Sequence, residues 1–249
     1  EFYGNGQTQT NEAGRLGLYI GVTQQTPSDD HPYAYGLYDA TKYLFRLYDE
    51  GDDRRWWNVA DYKYVTTDGK VTEHKHTTYN ILSTTGYVFR KFVRNYAGQE
   101  RTDGDFNWPV IRLADVFLMY AEADNEVNGP TQTSIALVNR VRHRGNLPAL
   151  APDKCNNRDN FFDAIEQERI VELLAEGHRI WDLRRWRRLE HVYGGTGNVG
   201  YKWYDIFGAL ENEFWVNSPS LHYEQCYIFQ IPESERNRNS NLTQNKPWR

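Results

Sequence analysis

Long hydrophobic runs are missing from this 249-residue sequence. A membrane-spanning helix needs about 18 or more consecutive apolar residues, yet the apolar run from Val116 to Ala121 is bounded by Asp115 and Glu122. Aliphatic residues are also scarce, because all hydrophobic residues together reach 39% while aromatic residues alone make up 15%. The sequence therefore excludes a spanning helix and predicts a core rich in aromatic rings.

Lysine and cysteine are rare as well. The chain has 8 Lys against 21 Arg and a formal net charge of −5, so it lacks the broad positive field that non-specific nucleic-acid binding requires. Two cysteines, Cys155 and Cys226, permit one disulfide at most and cannot form a zinc site made of cysteines. The sequence leaves open whether these two thiols pair.

The first half predicts little regular structure. Residues 1–36 are rich in Gly, Thr, Gln, Asn and Pro, which is typical of loops. A short helix is predicted from Asp39 to Tyr48, with its first residue as the cap. Alternating side chains from Trp56 to Val65 predict a strand, and Asp68-Gly69 predicts a hairpin turn with a returning strand from Val71 to Tyr79.

The second half has helical periodicity. Pro109 is predicted in the first turn of a helix that ends at Asn128-Gly129-Pro130. A second helix is closed by Gly145, a third is capped by Asp159, and Gly177 separates the third from a short fourth helix. Beyond these helices, the composition predicts a long loop and then a strand: residues 190–225 and Tyr227–Phe229.

Charged residues are concentrated in the third and fourth predicted helices, where Glu168, Glu172, Glu176 and Asp182 are interleaved with arginines. Ion pairs within and between helices explain both charges without a substrate. His74 and His76 would share one face of a strand, but no third metal ligand with a recognised spacing stands nearby. We therefore expect neither a metal nor a cofactor.

Aromatic residues are the other candidates for function, because several lie in predicted loops or in the hairpin. Tyr33, Tyr35, Trp56 and Trp57 are among them. Flat rings with a polar tip suit stacking on sugars or bases. The alternative is structural, since a chain poor in aliphatic residues must build its core from aromatic ones.

Four ordered motifs in the helical half carry a resemblance to a known family. They are IRLADVFLMYAEA from Ile111, VNRVRHR with Leu147-Pro148, IEQERIVELLAEGHRIWDLRRW from Ile165, and the tail from Ile231-Pro232 to Asn245. In this order they resemble the SusD/RagB family of bacterial cell-surface nutrient-binding lipoproteins. Asp53-Arg54-Arg55 also resembles a short Asp-x-Arg element of that family.

The resemblance implies a mainly α fold, with a tetratricopeptide-like helical scaffold, long irregular loops and a small β-hairpin. It also implies that residues 1–249 are the C-terminal part of one SusD-like domain whose N-terminal half is absent, which agrees with a sequence that starts at Glu1 without Met. Within this part, it implies a ligand-face region, scaffold helices and a C-terminal loop and tail: residues 1–108, 109–190 and 191–249.

The resemblance further implies a role at the outer membrane of Bacteroidetes-type bacteria. Members face outward on an N-terminal lipid anchor that this chain does not contain, and they deliver captured oligosaccharides to a SusC-like TonB-dependent transporter. On this basis the charged cluster is expected to hold scaffold helices together, and the protein is expected to bind without cleaving.

The main hypothesis is a glycan-binding subunit that contacts its ligand through Tyr33, Tyr35, Trp56 and Trp57. Two alternatives stay open. One is a carbohydrate-active hydrolase that uses Asp52 and Asp53, or the carboxylates from Glu172 to Asp182. The other is a structural lid or adhesin subunit without sugar affinity.

Overall fold

A computed structural model describes residues 15–26, 31, 33–76, 85–91, 108–189, 199–204, 211–216 and 223–248. Helices account for most of the regular structure in this part of the chain, which confirms the expected mainly α fold. Two compact units are present, one formed by Glu1–Glu176 with Tyr204–Leu210 and the other by Gly177–Trp203 with Glu211–Arg249. No helix among the described residues is long and apolar enough to cross a membrane.

Three long helices form the scaffold of the first unit: α4 (Leu113–Asn128), α5 (Gln132–Arg144) and α6 (Arg158–Glu172). Each buries one stripe, and the stripes meet in a single core. The buried members of this core are Leu118, Ala121, Val138, Val141, Phe161, Ala164 and Ile165. The expected helical scaffold is therefore present.

Shorter elements precede the scaffold in the chain. They are three helices, α1 (Arg15–Ile20), α2 (Lys42–Leu47) and α3 (Arg54–Asn58), and four strands, β1 (Val59–Ala60), β2 (Tyr62–Thr67), β3 (Lys70–Lys75) and β4 (Val88–Phe89). β1 pairs with β4, and β2 pairs with β3, in both cases antiparallel. A second core lies among them, and Val171 of α6 joins it together with Tyr48 and Val59.

The hairpin of β2 and β3 confirms the predicted turn. Thr67 pairs with Lys70 across Asp68 and Gly69, which have φ angles of 51° and 75°. Two positive φ angles are what a tight hairpin with the right-handed strand twist requires. The predicted return as far as Tyr79 passes beyond the described residues after position 76.

The second unit contains α7 (Arg179–Arg185), two short helices at Tyr223–Tyr227 and Glu233–Arg238, and β-structure. Leu183 and Leu189 form its small apolar core with Cys226 and Tyr227 packed against them. Cys155 and Cys226 are both free thiols. Strands Val199–Tyr204 and Glu211–Val216 pair with each other, so the prediction of a pure loop over residues 190–225 is wrong for these segments.

Several other local predictions are wrong. Residues 15–20 form a helix instead of a loop, because Leu18 and Val22 are buried and tie this segment to the core. Trp56 and Trp57 lie on α3 and not on a strand. The predicted strand Tyr227–Phe229 is the end of a helix followed by irregular chain.

The predicted helix starts are also displaced. Thr41, not Asp39, caps α2, with its hydroxyl accepting from the amide of Leu44 at 3.1 Å. Asn157, not Asp159, caps α6 through the amide of Asn160 at 2.9 Å. Pro109 precedes α4, whose N-cap is Arg112, instead of lying in its first turn. The predicted end of α5 at Gly145 and the break at Gly177 are confirmed.

Candidate ligand-binding surface

The segment 52–58 combines buried and exposed side chains. Asp52, Arg54 and Asn58 are buried, whereas Trp56 and Trp57 are 47% and 67% exposed. Arg54 and Asn58 are four residues apart on α3 and so share one face of the helix, while the tryptophans between them lie on other sides. The face of α3 that carries Arg54 and Asn58 therefore anchors the segment, and its other faces expose the two tryptophan rings to solvent.

Arg54 provides the anchor through a fully paired guanidinium. Its Nε and Nη2 donate to the two carboxylate oxygens of Asp52 at 2.9 and 2.8 Å. Its Nη1 donates to Glu168 at 2.5 Å and to Glu172 at 2.8 Å. All four side chains are buried, and such charges are tolerated only when paired and hydrogen-bonded. Arg54 thus fixes α3 onto α6.

Further cations surround the carboxylates of α6 and the residues that follow it. Glu172 also accepts from Arg112 and from Arg144, and Glu176 accepts from Arg112 and Lys91. Burial alone would raise the pKa of Glu172, but these arginines outweigh it and hold the pKa at about 2. The expectation that this cluster holds scaffold elements together is confirmed for Glu168, Glu172 and Glu176.

Asn58 supports the other end of α3. Its side-chain amide donates to the hydroxyl of Tyr48 at 2.9 Å and to the carbonyl oxygen of Val171 at 3.1 Å. The Tyr48 hydroxyl lies 3.4 Å from the same carbonyl, and burial raises the pKa of that hydroxyl well above its usual value. Both ends of α3 are therefore held to α6, and the two tryptophans lie between these attachments.

Trp56 and Trp57 belong to a larger aromatic surface. Trp56 meets the ring of Phe45 edge to face with centroids 5.3 Å apart, and Phe45 stacks on Tyr87 at 4.3 Å. The guanidinium of Arg90 lies 4.6 Å from the Trp57 ring centroid, and its Nη1 donates to the carbonyl of Trp56 at 2.7 Å. These contacts hold both indoles in place. About half of Trp56 and two thirds of Trp57 remain exposed to solvent.

Tyr33 and Tyr35 form a separate pair of rings. They meet edge to face at 5.0 Å, and Tyr35 also stacks on Tyr19 with centroids 6.0 Å apart. The backbone amide of Tyr35 donates to Leu18 at 2.7 Å, so the neighbouring helix α1 positions this pair. Both tyrosines are half-buried.

The four candidate residues are thus arranged as two pairs with different partners. The sequence located the tryptophans but did not identify Phe45 and Arg90, which complete their surroundings. Phe45 was hidden within a short helical stripe, and Arg90 lies about thirty residues further along, with no motif around it. The resemblance of Asp53-Arg54-Arg55 to a family element was the one sequence signal near Arg54, which anchors α3.

Most of the carboxylates considered for hydrolysis are engaged in ion pairs. Asp52 is held by both arms of Arg54, whereas Asp53 is exposed at the start of α3. Asp182 is buried and paired with Arg185 at 2.9 Å, and Glu172 and Glu176 are surrounded by cations as described. A general acid needs a raised pKa, which is the opposite of the shift at Glu172 and at Glu176, where burial is outweighed by Arg112 and Lys91.

The two histidines considered for a metal have different surroundings. His74 is exposed with its Nε2 3.0 Å from the hydroxyl of Thr72. His76 is buried, and burial lowers its pKa. Within the described part of the chain, no group of three or more His, Cys, Asp or Glu side chains is arranged to hold a metal ion.

Comparison with known proteins identifies the family of this chain. A model of the SusD family matches residues 5–248. The chain belongs to the SusD family. The resemblance seen in its helical motifs is therefore confirmed over nearly the whole sequence.

Individual relatives of this SusD-family chain are more distant. It is 27% identical over 207 residues to SusD-like protein P2 of Formosa agariphila, which covers 77% of the chain and 38% of the relative. A SusD-like protein from Bacteroides fragilis matches with a TM-score of 0.70 at 20% identity, over 96% of this chain and 52% of the other. Surface glycan-binding protein A from Bacteroides uniformis matches with a TM-score of 0.53 at 21% identity, over 93% and 46%.

These likenesses establish the fold. The chain spans about half the length of the solved structures and 38% of SusD-like protein P2.

Proposed function

We propose that this chain is the ligand-contacting part of a surface glycan-binding protein that captures oligosaccharides without cleaving them. The observation that carries the proposal is the exposed indole pair of Trp56 and Trp57 on a helix anchored by buried ion pairs. Membership of the SusD family supports it, as does the likeness to a surface glycan-binding protein.

Rigid exposed rings suit this task for a physical reason. The apolar face of a sugar ring stacks on an aromatic side chain, and burial of both faces removes apolar area from water. A ring that is already fixed loses little conformational entropy on binding, and the contacts of Trp56 with Phe45 and of Trp57 with Arg90 fix both indoles. Tyr33 and Tyr35 provide a second set of rings for a longer ligand.

Calorimetry against a panel of oligosaccharides tests the ligand surface. Trp56→Ala and Trp57→Ala should each weaken binding by about tenfold, which corresponds to about 1.4 kcal/mol. Trp181→Ala is the matched control, because Trp181 is 56% exposed and lies in the other compact unit. Unchanged affinity in both the Trp56 and the Trp57 variant would show that these residues do not contact the ligand. Tyr33→Ala and Tyr35→Ala test the second pair in the same way.

We further propose that the full-length protein is lipid-anchored at the outer membrane, faces outward and passes its ligand to a SusC-like TonB-dependent transporter. Family membership supports this partner and this location. Co-purification of the full-length protein with the transporter encoded beside it tests the partnership. Co-purification without any response to oligosaccharides would favour the structural lid or adhesin role, and release of shortened oligosaccharides during incubation would favour a hydrolase.

A further inference from the structure

Two arginines frame the proposed tryptophan surface. The guanidinium of Arg90 lies over the ring of Trp57, as described, and that of Arg55 lies 5.1 Å from the ring centroid of Phe45. Phe45 in turn contacts Trp56. Each of the two tryptophans thus has an arginine close to it: Arg90 against Trp57, and Arg55 against the Phe45 ring that Trp56 contacts.

Neither arginine is neutralised by a carboxylate within the part of the chain that the structure describes. Arg90 donates to the carbonyl of Trp56, and Arg55 donates to the carbonyls of Tyr48 and Asp49 at 2.5 and 3.1 Å. The Nε of Arg55 is buried and has no hydrogen-bond acceptor. The hydrogen-bond acceptors of both guanidiniums in this part of the chain are therefore neutral backbone carbonyls.

This arrangement differs from that of the arginines in the buried charged network, which are paired with acids. Arg54, Arg112, Arg142, Arg144 and Arg169 each contact at least one Asp or Glu side chain. The chain has a net charge of −5, so acidic side chains are not in short supply. Arg55 and Arg90 stand apart from that network, beside the rings where the ligand is proposed to bind.

A third arginine, Arg46, lies near the same rings. Arg46 is exposed in the last turn of α2. Burial and the nearby carboxylate of Asp61 raise the pKa of the Tyr87 hydroxyl, and Arg46 and Arg55 act against that rise. Both guanidiniums are therefore close enough to influence the ring that stacks on Phe45.

We propose that the glycan bound at this surface is acidic, carrying carboxylate or sulfate ester groups. The inference rests on the proposed function, because it names the class of glycan that the same surface takes. Trp56 and Trp57 stack on sugar rings, while Arg55 and Arg90 meet the anionic substituents. The guanidinium of Arg90 suits this role, since a planar fork of N–H donors matches two oxygens of a carboxylate or sulfate. Arg55 contributes mainly its charge, because its Nη2 already donates to two backbone carbonyls and its Nε is buried.

The first experiment compares matched oligosaccharides by calorimetry. One arm uses an oligogalacturonate and its methyl ester, and the other uses a sulfated galactan oligosaccharide and its desulfated form. The acidic member of at least one pair should bind about tenfold more tightly than its neutral partner, with the difference shrinking as salt is raised from about 0.01 M to 0.5 M. The arm that shows the preference identifies the anionic group.

The second experiment assigns the preference to the arginines. Arg55→Gln and Arg90→Gln should each reduce affinity for the acidic member about tenfold while changing affinity for the neutral member less than about threefold. Arg90→Lys keeps the charge but loses the forked pair of N–H donors. Its affinity for the acidic member should therefore lie between that of the parent protein and that of Arg90→Gln. Arg140→Gln is the matched control, because the guanidinium of Arg140 lies 4.6 Å from the ring centroid of Phe117 on the scaffold.

The outcomes distinguish the preference for an acidic glycan from glycan binding itself. Equal binding of acidic and neutral partners in both arms would overturn the inference and leave glycan binding intact. An acidic preference that survives both Gln variants would overturn the assignment to Arg55 and Arg90. No binding by any oligosaccharide would count against the proposed function itself.

Discussion

The guanidinium of Arg54 occupies the space where a side chain at position 145 would begin. A Cβ atom built on Gly145 would lie 2.5 Å from Nε of Arg54 and 3.0 Å from its Cζ. Gly145 has a φ of −87°, which any residue adopts, so the close approach and not the backbone conformation requires glycine there. The end of α5 therefore closes directly over the ion pair that anchors α3.

Replacing Gly145 with alanine should destabilise the fold by about 1–3 kcal/mol, because the added methyl group overlaps a guanidinium held on all sides. Urea unfolding followed by tryptophan fluorescence measures the loss. Gly129→Ala is the comparison, since Gly129 has a φ of 77° and open space around its Cβ position, so it reports backbone strain alone. Equal stability of Gly145→Ala and the parent protein would show that Arg54 can move aside.

Removing the charge of Arg54 should cost about 3–5 kcal/mol, because Arg54→Met leaves Glu168 and Glu172 buried with fewer cations. Chemical denaturation again gives the free energy of unfolding. Lys75→Met is the control, as it breaks an exposed pair with Asp61 at 3.1 Å in the same compact unit, and an exposed pair contributes about 1 kcal/mol or less. Similar losses in the two variants would contradict the anchoring role.

Acid should weaken the first unit through Glu172. Its pKa is about 2 in the folded chain against an ordinary value of 4.5, so ionised Glu172 stabilises the fold fully above about pH 5. This contribution, on the order of 3 kcal/mol, is lost as the pH falls from about 5 towards 2. Denaturant unfolding between pH 2.5 and 7 measures the slope.

The Glu172→Gln variant provides the check on that assignment. It should be less stable at pH 7 and should lose less further stability on acidification, because the amide does not titrate. Glu126→Gln, at an exposed position of α4, should keep the parental slope. An unchanged slope in Glu172→Gln would place the acid sensitivity elsewhere.

Shortening Asn58 should loosen the second attachment of α3. Asn58→Ala removes the shorter of the two hydrogen bonds to the carbonyl of Val171 and the donor to the Tyr48 hydroxyl, and we expect a loss of about 1–3 kcal/mol. Thermal unfolding compared with Asn128→Ala isolates the effect, because the Asn128 amide bonds only the exposed side of Asp124 at 2.8 Å. A loss no greater than that of the control would show that the hydrogen bonds of Asn58 contribute little.

Sequence periodicity predicted the scaffold because each long helix buries one stripe. Leu118 and Ala121 on α4, and Val138 and Val141 on α5, recur at helical spacing and are all buried. The glycine after α5 marked its end correctly. Such signals are local, so they are readable without knowledge of the fold.

Helix starts were less predictable because several nearby side chains are able to cap. Asn157 and Asp159 both carry an oxygen that could accept a backbone amide, and only Asn157 does so at the start of α6. At α4, Pro109 suited a first turn, yet the helix begins at Leu113.

The tryptophan segment was misassigned because its conformation depends on distant residues. Alternating polarity from Trp56 onward is typical of a strand, but Arg54 and Asn58 are tied to residues of α6 more than 110 positions away. No local pattern records those contacts. The sequence therefore singled out Trp56 and Trp57, which are exposed, without predicting the element that presents them.

Residues 52–58 divide two roles between neighbouring side chains. The ion pairs that hold the segment belong to Asp52 and Arg54, and the exposed rings belong to Trp56 and Trp57. Substitutions at positions 56 and 57 therefore leave the buried network intact. On the proposed function, the ligand contacts at these two positions can be exchanged while the ion pairs that hold the helix to the scaffold stay in place.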